Sequence, residues 1–570
     1  MQTIADPRSI ALGSPLPPGD IHAVGVHLPE WRDTLGWAAR EGRVLDAMKT
    51  GYPRFFVPRV VDKLAERILE LGLAPESNSH PSKPNYRSII FPSKRYVDFY
   101  IGFLRRQGPP GTNLDQVYAL MLKWDGTTAN LDFKKTDQSI SRRCLDGYLH
   151  VDNQPNQRPI FAVLYPASLY SLTKAFWQHT GFGISSRHAT YWLENAEIFK
   201  TPDGDASKSF HERPIRGSSY RSAKESITIV VKSGQSPEHV ESVADDNILL
   251  YPTGMTAITE AAVAIKALRS TVGGRCAAAV FGFTYVDTYK TITRVLDFDA
   301  TLYKYADADE LERQLNEGLK LDLLITEFPG NPLLQSPDMT RLHDLAKKHD
   351  FILIVDDTVG TCINVNLMQY CDVVCTSLTK MFSGRCNVMG GAVVVSPHSP
   401  HQEGLLTALG KVYEEIWFPE DASVMETNSR DFRERVLRAN SNAEFVVSLL
   451  QHSPAIEEVY YPKGSTTQHI YDRFRLPNGG YGFLLSIKFT SPARAIAFYD
   501  NLDVAKGPSL GTNFTLCCAY TLLAHYSELE WAAEYGVVEH LVRISVGLED
   551  EEWLRARIDK ALRAAETVRD

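Results

Sequence analysis

The 570-residue chain has no apolar run of about 18 residues, the length that a membrane-spanning helix requires. Its opening residues, MQTIADPRSIALGSPLPPGD, carry no basic stretch leading into an apolar core, so secretion is not expected and the protein is expected to be cytoplasmic. Neither sign of charge is in large excess. Sixty Lys and Arg stand against 69 Asp and Glu, a net charge of −9 without a long basic run, which argues against a nucleic-acid partner. The eight cysteines (Cys144, Cys276, Cys362, Cys371, Cys375, Cys386, Cys517 and Cys518) follow no regular framework, which fits a reducing compartment. Cys371 and Cys375 have no second Cys pair or spaced His pair to complete a metal site. They read as small buried apolar residues, and no metal is expected. Internal repeats and low-complexity tracts are also missing.

What is present is an ordinary globular composition, 44% hydrophobic and 23% charged, on a length that allows two or three domains. Residues 1–150 mix Pro-rich openings with two amphipathic helix patterns, VVDKLAERILELGL and RYVDFYIGFLRR, separated by the polar break PESNSHPSKPN. This segment reads as an α+β extension with a packing or oligomerisation role. An Asn-, Gln- and Pro-bearing join, VDNQPNQRP, sets a boundary near 151, and the polar segment Lys200–Arg221 is expected to be an exposed loop. From about 247, short apolar runs (NILLY, CAAAVFGF, LDLLITEF, FILIVDD, CDVVCTS, GGAVVVS) alternate with helix-length segments such as MTRLHDLAKKHD. That alternation predicts a mostly parallel sheet with crossover helices over 151–400. Residues 401–570 repeat strand and helix patterns and read as a smaller C-terminal α/β domain.

The chemistry is densest between Phe351 and Val395. One strand ends in Asp356-Asp357-Thr358, a second ends in Ser377-Leu378-Thr379-Lys380, and Gly390-Gly391 opens a third. Ligands of open α/β sheets bind at the carboxyl ends of strands, so an acid and an amine would face one crevice. That pair suggests a Schiff-base site for pyridoxal phosphate (PLP), which needs a lysine, an anion opposite its ring nitrogen and donors for its phosphate. Lys380 is the lysine and Asp356 the anion, with Asp357 as its rival because a one-residue shift reverses the strand face. Ser377 and Thr379 offer hydroxyls. Gly254 and Met255 offer amides at a helix start following NILLY, a position that favours anions. The same tetrapeptide, Ser171-Leu-Thr-Lys174, occurs earlier but follows no strand ending in an acid.

Tyr251-Pro-Thr-Gly-Met-Thr-Ala-Ile, Tyr285 in FTYVDTY, Glu327-Phe-Pro-Gly-Asn331-Pro, Val355-Asp356-Asp-Thr, Ser377-Leu-Thr-Lys380 and Arg543-Ile-Ser-Val-Gly-Leu-Glu-Asp occur in this order. The set resembles the Cys/Met-metabolism PLP-dependent enzymes. HAVGVHLPEW, GYPRFF and Gly183-Ile-Ser-Ser-Arg187-His-Ala-Thr extend the resemblance to the long fungal cystathionine γ-synthase type, over nearly the whole chain. It implies a PLP-dependent transferase fold of the aspartate-aminotransferase-like type I class. It further implies that Lys380 forms the Schiff base, Asp356 holds the pyridine nitrogen and Tyr285 stacks on the ring. Asn331 and Glu327 would lie near the ring hydroxyl, Arg543 would pair with the substrate carboxylate, and Ser509 would orient Lys380 or the substrate. Arg187 would reach the phosphate of a neighbouring subunit, giving a homodimer or homotetramer with shared sites. The chain departs from the family pattern at Ser185, where a Tyr phosphate ligand is usual, at Val286-Asp287, where Gly-Gly is usual, and at Ala519, where the fungal type would carry Pro.

The resemblance implies γ-replacement on an O-acyl-L-homoserine, with L-cysteine as nucleophile and L-cystathionine as product. A carbon nucleophile such as a β-keto acid is the alternative. A γ-lyase and a non-catalytic relative are further ones, although a scaffold has no use for Lys380, Asp356, Tyr285 and Arg543 together.

Overall fold

The computed structural model describes residues 4, 6–53, 55–72, 85–124, 129–132, 159–196, 217–235, 243–270 and 275–569. The chain divides into two units, one comprising Met1–Tyr52, Ser226–Tyr413 and Met425–Asp570 and the other Pro53–Glu225 with Glu414–Val424. This division differs from the three successive domains expected. Residues up to Tyr52 group with the first unit, and β-pairing in the second unit runs across the boundary placed near 151.

The first unit opens with an antiparallel ribbon of β1 (Pro15–Leu16) and β2 (Gly25–Val26). The second unit holds an antiparallel sheet of β3 (Tyr86–Phe91), β4 (Tyr118–Trp124), β5 (Ala129–Asp132) and β6 (Ile160–Pro166), in the order β3-β6-β4-β5. Helix Arg59–Gly72 covers it through Val61, Leu64, Ala65 and Ile68, an i, i+3, i+4, i+7 stripe that joins Ile90, Ile160 and Leu164 in one core. Helix Lys94–Gln107 starts where the Ser93 hydroxyl accepts the Tyr96 N–H. Lys174, in the second copy of Ser-Leu-Thr-Lys, lies within helix Tyr170–Thr180 of this unit.

The first unit is built on seven strands: β7 (Ile248–Tyr251), β8 (Ala277–Phe281), β9 (Asp299–Tyr303), β10 (Leu323–Glu327), β11 (Ile352–Asp356), β12 (Val373–Thr376) and β13 (Gly391–Val395). Their order is β7-β13-β12-β11-β10-β8-β9. All neighbours run parallel except β13, which is antiparallel to both β12 and β7. β10 and β13 are buried along their whole length, so both faces take apolar residues and no alternation is visible in the sequence. Crossover helix Met339–His349 begins where the Asp338 carboxylate accepts the Arg341 N–H, and it ends at Asp350 in the left-handed conformation. Its buried stripe of Met339, Leu342, Leu345 and Ala346 packs inward.

The C-terminal part forms a second sheet of β14 (Ile456–Tyr460), β15 (Leu484–Phe489), β16 (Ala505–Lys506), β17 (Leu516–Ala519) and β18 (Val542–Ser545), ordered β14-β15-β18-β17-β16. Helices Phe432–Leu450, Pro492–Asn501 and Glu551–Glu566 share one core with it. The polar segments 75–84, 151–158 and 200–216 lie outside the described residues. The expected loop ends earlier than predicted, because helix Gly217–Gln235 already includes Arg221. Among the described residues, no helix is long and apolar enough to cross a membrane.

Candidate active site

The parallel strands deliver their chemistry to one edge. Glu327 ends β10, Asp356 ends β11 directly beside it in register, and β12 runs into Ser377–Lys380. β7 ends at Tyr251, and the chain turns through Thr253 into helix Gly254–Arg269. The Thr253 hydroxyl accepts the Thr256 N–H, so the Gly254 and Met255 amides stand in the first helical turn, where N–H groups have no partner within the helix.

Lys380 is 9% exposed, and its amine donates to the Tyr52 hydroxyl at 2.8 Å and to Ser509 Oγ at 3.0 Å. Ser509 sits in the left-handed region (φ 100°), which lets it serve two partners: its Oγ faces Lys380 while its carbonyl accepts from Arg543 at 2.8 Å. Arg543 comes from β18 and also donates to Asn331 Oδ1 at 2.9 Å, with its guanidinium over the Tyr520 ring. The Asn331 N–H donates to one oxygen of Glu327 at 3.0 Å, and the other oxygen accepts the Tyr285 N–H at 2.5 Å. One buried carboxylate thereby fixes the backbone of both residues.

Electrostatics separate the two neighbouring aspartates. Asp356 accepts the Thr358 N–H at 2.9 Å and interacts with the Lys380 amine, whereas burial, and with it the Asp357 charge, raises the Cys362 and Cys371 thiols; burial and both aspartates raise that of Cys375. Burial pushes the Asp356 carboxyl up, opposed by hydrogen bonds from Thr358 and by the charge of Lys380. Glu327 is also pushed up, by burial and then by the Asp356 charge. A cationic group opposite Asp356 would relieve both carboxylates.

Most of the expected residues come together. Lys380, Ser509, Arg543, Asn331, Glu327 and Tyr285 form a continuous chain of hydrogen bonds. Asp356 joins Ser377 through Thr358, whose hydroxyl accepts the Ser377 N–H at 2.8 Å. Ser377 in turn packs on Gly254. Thr379 differs from expectation, because its hydroxyl is occupied by Gly390: it donates to that carbonyl at 3.3 Å and accepts that N–H at 3.1 Å. Arg187 lies in the second unit and pairs there with Asp421 at 3.1 Å. Tyr52 is the residue that sequence reasoning missed. It belongs to the GYPRFF motif, which carries the resemblance but gives no chemical role.

The donor set fits PLP. A buried amine, a buried carboxylate in need of a cation, and two helix-start amides beside the Ser377 hydroxyl match its aldehyde, ring nitrogen and phosphate. A phosphate at this helix start would depend on a missing side chain: a Cβ on Gly254 would stand 2.7 Å from Ser377 Cβ and 2.9 Å from its Oγ. Gly254→Ala is therefore expected to weaken cofactor binding on the order of tenfold, since overpacking costs about 1–3 kcal/mol. Titration of PLP into the apoenzyme checks this.

A family model described as Cys/Met metabolism PLP-dependent enzyme matches residues 239–563, and one described as the fungal trans-sulfuration enzyme N-terminal domain matches residues 60–185. The chain is 33% identical to a cystathionine gamma-synthase of Neurospora crassa, over 97% of this chain and 98% of that protein. It is 35% identical to a cystathionine gamma-synthase-like enzyme of Amanita muscaria, over 98% of each. Its fold is similar to that of a crystallised cystathionine gamma synthase of Xanthomonas oryzae, with a TM-score of 0.51 at 22% identity, covering 64% of this chain and 91% of the other. The protein therefore belongs to the Cys/Met-metabolism PLP-dependent enzyme family, and it carries the N-terminal domain of the fungal trans-sulfuration enzymes.

Proposed function

We propose that this enzyme replaces the γ-acyloxy group of an O-acyl-L-homoserine, with L-cysteine as nucleophile and L-cystathionine as product. The observation that carries the reading is the double role of Ser509, which binds the Lys380 amine through its hydroxyl and the Arg543 guanidinium through its carbonyl. An amino acid's α-carboxylate and α-proton are attached to the same carbon, so a guanidinium and a base held on one residue suit both at once. Arg543 takes the carboxylate with N–H groups of its planar fork, a geometry only guanidinium supplies. The Lys380 amine removes the α-proton and then serves as the proton carrier at Cβ. Asp356 keeps the proton on the ring nitrogen. When bound, PLP supplies an electron-accepting ring that makes these protons acidic. The acyloxy group leaves Cγ, and the sulfur of cysteine bonds there.

Arg187 is assigned to the phosphate of a partner subunit's cofactor, and the active unit is a homodimer or homotetramer in the cytoplasm. A carbon nucleophile is the second reading. It is kept because Ala519, fully buried at the end of β17 next to the Tyr520 that lies against Arg543, stands where the fungal γ-synthase type would carry Pro, a departure near the site that leaves the nucleophile open. Mass spectrometry of products from O-acetyl-L-homoserine, offered L-cysteine, acetoacetate or no nucleophile in parallel, separates the two. Cystathionine as the dominant product supports the first reading. A carbon-linked amino acid with little cystathionine would replace it by the second, and 2-oxobutanoate from every mixture would make the enzyme a lyase.

A further inference from the structure

The N-terminal segment is fastened to the two loops that carry Lys380 and Ser509. After Lys380, the Val24 N–H donates to the Cys386 carbonyl at 2.8 Å, and Asn387 Nδ2 donates to Asp20 at 3.1 Å. Before Ser509, the Leu28 N–H donates to the Lys506 carbonyl at 2.8 Å, and the Lys506 N–H donates to His27 Nδ1 at 3.2 Å. The approach at Gly507 is so close that a Cβ there would stand 2.0 Å from the Val26 carbonyl oxygen, at a φ of +150° that disfavours side chains. Lys506 also donates to the Pro29 carbonyl at 2.8 Å, and the Trp31 N–H donates to Asp500 at 2.7 Å. Leu16 and Val24 share an apolar cluster with Cys386, Ala505, Phe514 and Leu516. The segment then returns to the site. The Thr50 hydroxyl donates to the Ala23 carbonyl at 3.3 Å, and Tyr52, 8% exposed, places its hydroxyl 2.8 Å from the Lys380 amine with its ring centroid 4.3 Å away.

We infer that Tyr52 is a catalytic residue of this site, whose hydroxyl, together with Ser509 Oγ, holds the Lys380 amine in the position it occupies whenever it is not bonded to the cofactor. The amine must leave the cofactor for substrate to enter, act on two carbons and return. A buried amine without acceptors would carry a desolvation cost at each stage. Two hydroxyls on opposite loops supply those acceptors, and the N-terminal strap fixes the distance between them. The phenol ring adds an attractive face for the charged amine. The segment expected to serve only packing or assembly thus contributes directly to turnover.

This inference rests on Lys380 being the cofactor lysine, and the test separates the two. Tyr52→Phe keeps the ring and removes the hydroxyl. In the full-length holoenzyme it is expected to lower kcat on the order of tenfold or more, with KM for the amino-acid substrate within threefold and the melting temperature unchanged. In the full-length apoenzyme, the rate at which added PLP regains its protein-bound absorbance should fall at least about fivefold. Lys380→Ala is measured alongside and should regain no such absorbance. If Tyr52→Phe leaves both kcat and the recombination rate within twofold of wild type while Lys380→Ala fails to recombine, the inference about Tyr52 is overturned and the lysine assignment stands. If Lys380→Ala recombines as wild type does, both are overturned.

Discussion

Lys380→Ala is expected to lower turnover at least about 10⁴-fold, the upper end of what a positioned acid–base group contributes, because the same amine also forms the covalent attachment. The purified variant should lose the yellow colour of the protein-bound cofactor. Its fold should persist, because the substitution removes a buried polar side chain that is held by two hydroxyls rather than by an ion pair at hydrogen-bond distance. Lys174→Ala provides the control. It replaces the lysine of the other Ser-Leu-Thr-Lys copy, on helix Tyr170–Thr180 of the second unit, and should leave both colour and turnover unchanged. Absorption spectra and steady-state rates of the two variants decide the matter: loss of turnover in Lys174→Ala with full activity in Lys380→Ala would reverse the assignment.

Arg543→Lys is expected to raise KM for the amino-acid substrate about 10²-fold, with a smaller effect on kcat. Hydrogen bonds to a charged group contribute about 1.5–3 kcal/mol, and tenfold in affinity corresponds to about 1.4 kcal/mol. Arg543 spans Asn331 Oδ1 and the Ser509 carbonyl with two different nitrogens, each keeping a further N–H for a carboxylate. A lysine ammonium is a single point and cannot span them, so one of those buried acceptors loses its partner. Steady-state kinetics with varied O-acetyl-L-homoserine give the split. A fall in kcat with unchanged KM would place Arg543 away from the substrate carboxylate.

The sheet that bears the site was legible because buried parallel strands are continuous apolar runs, and the runs of β10, β11 and β12 lead into Glu327, Asp356 and Ser377–Lys380. Edge elements were harder to read. β9, with the sequence DATLY, alternates between exposed and partly buried positions before its buried last residue Tyr303 and has no apolar run, while β16 is only two residues long. The reversal of β13 left no trace either, since a fully buried strand reads the same in both directions. At the site, sequence favoured Asp356 and kept Asp357 as its rival, because a one-residue shift reverses the strand face. Register sets Glu327, Asp356 and Cys375 side by side across three strands, a placement that sequence does not show and that favours Asp356. Tyr52 was beyond sequence reasoning, since it meets Lys380 across 328 residues of chain and no local spacing encodes that contact. The Thr379 hydroxyl was expected to be available for phosphate, yet the turn before β13 uses it.

Carrying out the reaction of O-acetyl-L-homoserine with L-cysteine in D₂O, with deuterium located in the product by mass spectrometry and NMR, tests the proposed γ-replacement most directly. Removal of protons from both Cα and Cβ by one lysine predicts cystathionine that carries deuterium at both carbons of its homoserine-derived half. Cystathionine without deuterium at Cβ, together with full retention of label and no primary isotope effect when Cβ-deuterated substrate reacts in ordinary water, would mean that the acyloxy group is displaced without proton transfer there, and would contradict the role given to Lys380.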